Sequence, residues 1–126
     1  MENKNFSTEE LGILANIESK VFLKDQLGLT GCEVSFGAIP VGQEAPFLHA
    51  HKENEEIYIF LQGDGIFLID GKKFPVKEGS VVKVAPAGIR GLKSNSNNLV
   101  YVCIQAKEGS LTQATADDGI ILEEKP

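Results

Sequence analysis

The chain has 126 residues, 42% of them hydrophobic and 24% charged, with a formal net charge of −6 at pH 7. That length is about one domain and is enough to bury a core without disulfides or a structural metal. The acidic balance, with no clustered run of Lys and Arg, argues against a nucleic-acid partner, and no apolar run approaches the length of a membrane span.

In chain order, the polar N-terminus lacks the apolar segment of a secretory signal. Ser7 and Glu10 form an S-x-x-E capping box, which predicts a short helix from about Thr8 that Gly12 interrupts. A second short turn is expected through "LKDQLG". From about Thr30 to Ala106 the chain reads as strands. "CEVSFGAI" carries Cys32, Val34, Phe36 and Ala38 on one face at period two. "EIYIFLQ" and "GIFLID" are dense in β-formers, and Asp70-Gly71 is a strong two-residue hairpin signal. "VKEGSVVKVAPAG" reads as turn, strand and Pro/Gly stop, and "NLVYVCIQA" as another strand. Short strands punctuated by Gly, Pro, Asn and Asp indicate a β-sandwich or barrel. The tail after Lys107 is more polar, and within it "GIILE" looks able to add a strand. Cys32 and Cys103 lack a C-x-x-C pattern. They read as small buried hydrophobes, and a cytoplasmic location is expected.

Both histidines of the chain stand one residue apart, at His49 and His51. On a strand, residues two apart point to the same side, so the two rings project together. Two imidazoles on one face are the usual first half of a zinc or iron site, and a nearby carboxylate would complete it. Glu55 and Glu56 are adjacent, so only one can face the histidines. Both faces of "EIYIFLQ" are apolar beyond that point, and periodicity does not choose between them. Glu53 falls in a turn and is expected to be solvated.

The longer pattern resembles the first motif of the cupin superfamily: Gly42, His49-x-His51, then Glu56, then six residues to Gly63. A second motif resembles the rest: Gly79, then Pro86-Ala87-Gly88, two residues, Gly91, and Asn95. Gly91 stands by count where that motif carries a histidine. The resemblance selects Glu56 over Glu55. It implies an all-β, antiparallel jelly-roll barrel of six to eight strands with a short N-terminal helical segment. A single domain is expected over 1–126, with a barrel core at about 30–106 and a C-terminal extension at 107–126. It also implies that His49, His51 and Glu56 point inward and hold a divalent metal ion (Zn, Fe, Mn or Ni). The fourth position would be left to water, substrate, Gln43 or Gln105.

The function so implied is binding or conversion of a small molecule inside the barrel. The best enzymatic reading is a metal-dependent oxygenase. The alternatives are a sugar-isomerase-like enzyme and a metal-free binding barrel. On this alignment Tyr58 and Phe60 share the face of Glu56. Tyr58 and Arg90 are candidates for contacting substrate, since a buried hydroxyl needs a partner and a guanidinium grips an oxyanion bidentately. Arg90, in a loop after Pro86, is nevertheless the kind of residue ordinarily found exposed. Small single-domain relatives commonly pair, so a homodimer is expected.

Overall fold

Residues 5–95 and 97–126 are described by a computed structural model of the chain. Eight strands follow one another: β1 (Val21–Phe22), β2 (Glu33–Ile39), β3 (Asn54–Gln62), β4 (Asp64–Ile69), β5 (Lys72–Lys77), β6 (Val81–Val84), β7 (Arg90–Ser94) and β8 (Leu99–Lys107). They form two antiparallel sheets, one in the order β1-β2-β8-β3-β6 and the other β5-β4-β7. This is the expected all-β jelly roll. Among the described residues helix is confined to a 3-10 turn at Leu14–Asn16 and single turns α1 (Lys24–Leu27) and α2 (Thr115–Asp118).

The capping box does not start a helix at Thr8. The Ser7 hydroxyl instead donates to the Leu27 carbonyl at 2.7 Å, and Gly12 takes a left-handed φ of 72° that ends any helical run. The "LKDQLG" turn does form, as α1 closed by Gly28 in the left-handed region. At the β4–β5 hairpin Asp70 and Gly71 both have positive φ, 49° and 79°, the two-residue turn whose twist matches its strands. The segment "GIILE" forms no strand among the described residues. The last strand ends at Lys107, and Ile120, Ile121 and Leu122 remain 85%, 98% and 70% exposed.

Period-two alternation builds the interior. On β3, Glu56, Tyr58 and Phe60 point inward and are buried, while Ile57 and Ile59 face out. Register places Gln105, Cys103 and Tyr101 of β8 beside them. On β2 the buried residues are Ser35, Gly37 and Ile39, so the apolar set Val34, Phe36 and Ala38 lies on the outer face and is only half-buried. Phe67 of β4, Val76 of β5, Val84 of β6 and Leu92 of β7 close the core from other sides. Gly37 is one position where absence of a side chain shapes the cavity wall. A Cβ there would lie 2.9 Å from the ring of Tyr101, its cross-strand partner on β8. Cys103 is buried and Cys32 half-buried, and neither is in a disulfide.

Candidate metal centre

The histidine segment is held by the second motif rather than by a regular strand. His49 forms an isolated bridge with Arg90, its amide donating to the Arg90 carbonyl at 3.1 Å and its carbonyl accepting from the Arg90 amide at 2.9 Å. The His51 amide donates to the Pro86 carbonyl at 2.8 Å. These bonds fix the extended backbone that puts both rings on one side. The rings meet edge to face, with centroids 5.2 Å apart.

Glu56 is the hub. Its Oε2 lies 3.0 Å from His51 Nε2, and its Oε1 lies 3.9 Å from His49 Nε2. Potential ligand atoms of His49, His51 and Glu56 all fall within 4.8 Å of one another. Glu56 is therefore the carboxylate that the strand brings to the histidines. Glu53 reaches outward to Lys107 at 3.8 Å with both side chains largely exposed.

Tyr58 and Arg90 both act on this carboxylate. The Tyr58 hydroxyl donates to Oε1 at 2.9 Å, and Arg90 Nη1 stands 3.3 Å from the same oxygen. Arg90 is not the exposed loop residue its sequence context suggests. It opens β7, is 1% exposed, and donates from Nη2 to the Ala85 carbonyl at 2.8 Å. Its Nε and Nη1 are buried without a hydrogen-bond acceptor among the described residues. Nη1 is thus near enough to Glu56 for ion pairing but off line for a hydrogen bond.

Arg90 also corrects the motif count. A Cβ at Gly91 would point at the Leu48 side chain, with Leu68 beyond, away from Glu56. On β7 the residues reaching the interior at period two are Arg90, Leu92 and Ser94. The side chain that the second motif sends into the site is therefore Arg90, one residue before the position found by counting. Of the suggested substitute ligands, Gln105 lines the same cavity with its side-chain oxygen accepting from the Asn54 amide at 2.9 Å, and Gln43 is exposed at the cavity rim.

Electrostatics follow from this packing. Burial alone would raise the Glu56 carboxyl, but the Tyr58 hydrogen bond and the charges of His51 and Arg90 outweigh it and hold the group below its ordinary range. Burial lowers the His49 imidazole against the opposing pull of Glu56, favouring the neutral ring that can serve as a ligand. Burial pushes the Cys103 thiol up to about 12 and the Tyr101 phenol to about 12, so both are un-ionised at neutral pH. The Tyr58 phenol is raised too, by burial first and then by the neighbouring charges.

The donor set suits a divalent ion. Two imidazole nitrogens and one carboxylate oxygen converge, while Tyr58 and Arg90 engage Oε1 and leave Oε2 on the histidine side. Orientation of a ligating carboxylate by such outer partners is a regular feature of metal sites. The cluster opens into a cavity of about 620 Å³ lined also by Tyr101, Phe67, Phe47 and Phe22. Tyr101 and Lys20, among the residues that shape it, carry no motif signal, and only the register of β8 and the chain path before β1 bring them there.

No family model matches the sequence. One curated relative, an uncharacterized protein of Methanocaldococcus jannaschii, is 42% identical over 48 residues, a match spanning 38% of this chain and 38% of that protein's length. Among solved structures, a cupin protein from Bacteroides fragilis is 39% identical, with a TM-score of 0.87 over 95% of this chain and 99% of that one. A predicted oxalate decarboxylase from Thermotoga maritima is 25% identical, TM-score 0.56, over 59% of this chain and 64% of that one. A sugar phosphate isomerase from Silicibacter pomeroyi shares 15% identity and the fold, TM-score 0.63, over 70% of this chain and 58% of that one. With a relative this similar across nearly its whole length, and with the barrel and motif geometry above, this chain belongs to the cupin superfamily.

Proposed function

We propose that the chain holds a divalent metal ion through His49, His51 and Glu56 and uses it on a small molecule within the barrel, as an iron(II)-dependent oxygenase. The observation that carries the oxygenase reading is the composition of the site. Two histidines and one carboxylate supply the ligands, and the interior position of β7 holds the cation Arg90 in place of a fourth one. A two-histidine, one-carboxylate set with open positions is the arrangement of non-haem iron oxygenases. Iron(II) bound there would supply oxygen activation, and zinc, manganese or nickel would supply Lewis-acid polarisation.

The protein's own contribution is positional. Tyr58 and Arg90 fix the Glu56 carboxylate, and Pro86 and Arg90 backbone groups fix the histidines. An isomerase needs a positioned base besides the ligands. Among the described residues that line the cavity, the remaining carboxylates Glu18 and Glu44 are exposed at its rim, which favours the oxygenase. The likeness to a sugar phosphate isomerase is one of fold.

Elemental analysis of untagged protein purified without chelator, beside a His49→Ala/His51→Ala variant, tests metal binding directly. Near-stoichiometric metal that is lost in the variant is expected. Oxygen uptake by anaerobically iron-loaded protein against panels of small substrates tests the reaction. Absence of metal after reconstitution with several divalent ions would overturn the proposal.

We propose further that the chain forms a homodimer through the outer face of the five-stranded sheet. Val34 and Phe36 are half-buried there, and Leu61 and Val81 are 37% and 59% exposed, an apolar face of the kind that marks an interface. Light scattering of wild type and Phe36→Glu reads it: a dimer that becomes a monomer supports the assembly, and a monomeric wild type ends it. A cytoplasmic setting accords with two cysteines that are not in disulfides.

A further inference from the structure

Charge balance at the cavity floor indicates what kind of molecule enters. Among the described residues the buried polar or charged side chains are Ser35, Glu56, Arg90 and Ser94. Glu56 is thus the one buried acid, and Arg90 at 3.3 Å already neutralises it. A divalent ion held by two neutral imidazoles and this paired carboxylate leaves about two positive charges uncompensated in a low-dielectric interior, a costly state unless a ligand supplies the counter-charge. The interior position of β7 adds a guanidinium, with Nε and Nη1 buried and lacking hydrogen-bond acceptors among the described residues. At the rim the Lys20 ammonium lies over the Phe22 ring at 5.5 Å and the Tyr101 ring at 5.7 Å. The rim carboxylates of Glu18 and Glu44 are exposed, where water screens them.

The walls give the rest of the ligand. Phe22 is 50% and Phe47 67% exposed, both line the cavity mouth, and Phe47 meets the His49 ring edge-on with centroids 6.1 Å apart. Two half-exposed aromatics beside a buried polar floor suit a molecule with an apolar or planar body and one charged end.

We infer that the cavity takes a small organic anion, its carboxylate or enolate head at the metal beside Arg90 and an apolar or planar body between Phe22, Phe47 and Tyr101. This rests on the metal reading above. Arg90 acts on the head chiefly through its charge and through Glu56, so it is a specificity-determining and positioning residue.

The test uses zinc-loaded protein, with mandelate and its neutral isostere mandelamide as probes and calorimetry as the readout. Zinc content is measured in every sample. Wild type is expected to bind mandelate at least tenfold more tightly than mandelamide. At equal zinc occupancy that ratio falls at least threefold in Arg90→Gln and persists in Arg90→Lys. Phe47→Ala weakens mandelate severalfold while leaving lactate, which has no ring, unchanged. Mandelamide binding as tightly as mandelate to zinc-loaded wild type, neither probe binding, or an undiminished ratio in folded Arg90→Gln overturns the inference and leaves the metal reading standing. If Arg90→Gln does not fold, the wild-type ratio and the Phe47 comparison decide. Failure of wild type to retain zinc overturns the metal reading, and the anion inference falls with it.

Discussion

Removing the Arg90 guanidinium while keeping its bulk, as Arg90→Met, leaves the Glu56 carboxylate inside the barrel without its counter-ion. Nη1 and Oε1 are 3.3 Å apart with side chains 1% and 2% exposed. At an effective dielectric near 20 the gross attraction is about 5 kcal/mol, most of which offsets desolvation. Breaking one side of such a pair is expected to cost about 3–5 kcal/mol, because the remaining charge stays buried. Tyr58 and His51 still hydrogen-bond Glu56, which favours the lower end. Unfolding entropy is about 2.1 cal/mol/K per residue. Over 126 residues each kcal/mol therefore moves the midpoint by about 4 °C, and Arg90→Met in metal-free protein should melt about 12 °C below wild type. The companion Glu56→Gln strands the guanidinium and should lose a similar amount. The double variant removes both charges and should lose clearly less than the sum, with a coupling of at least about 1.5 kcal/mol. Thermal and urea unfolding followed by circular dichroism read all four proteins. Additive losses, or an Arg90→Met midpoint within about 2 °C of wild type, would refute the account of Arg90 as the counter-ion of Glu56.

Because Arg90 and not Gly91 reaches the interior, Arg90→His should install a further imidazole and raise zinc affinity at least tenfold, whereas Gly91→His should leave it unchanged. Competitive chelator titration reads both, and the reverse order would restore the position found by counting. Gly37→Ala forces a Cβ to within 2.9 Å of the Tyr101 ring and should cost about 1–3 kcal/mol, as overpacking does. Urea midpoints check it, and an unchanged midpoint would mean that the ring is free to move. Both His49 and Glu56 have lowered folded-state values, so in each case the native state binds fewer protons than the unfolded chain. Metal-free stability should therefore be full above about pH 6.5, decline on acidification as His49 takes up a proton, and decline again below about pH 4.5 through Glu56. Chemical denaturation across pH 3–8 follows it. A His49→Gln variant should lose the first decline and keep the second, and an unchanged profile would remove His49 as its source.

The sequence by itself determined the strand content, the Asp70-Gly71 hairpin, the short α1 turn and the co-location of His49 with His51. Each of these rests on local physics: period-two patterning, left-handed turn chemistry and the geometry of an extended backbone. Local pattern also predicted a helix at Ser7–Glu10 and a strand at "GIILE", and there it failed. Ser7 gives its hydroxyl to a carbonyl twenty residues away, and among the described residues the tail forms no strand. Which of two adjacent glutamates meets the histidines was undecided by alternation, since both faces of β3 are apolar: one lines the core and the other is the half-buried outer face of the sheet. Only the tertiary structure showed that Arg90 is buried. In an open sequence an arginine after Pro-Ala-Gly-Ile reads as solvated, and a spacing rule places the interior at Gly91. The bridge between His49 and Arg90, two segments joined by backbone hydrogen bonds rather than by proximity in sequence, sets the phase of β7 and turns the guanidinium onto Glu56.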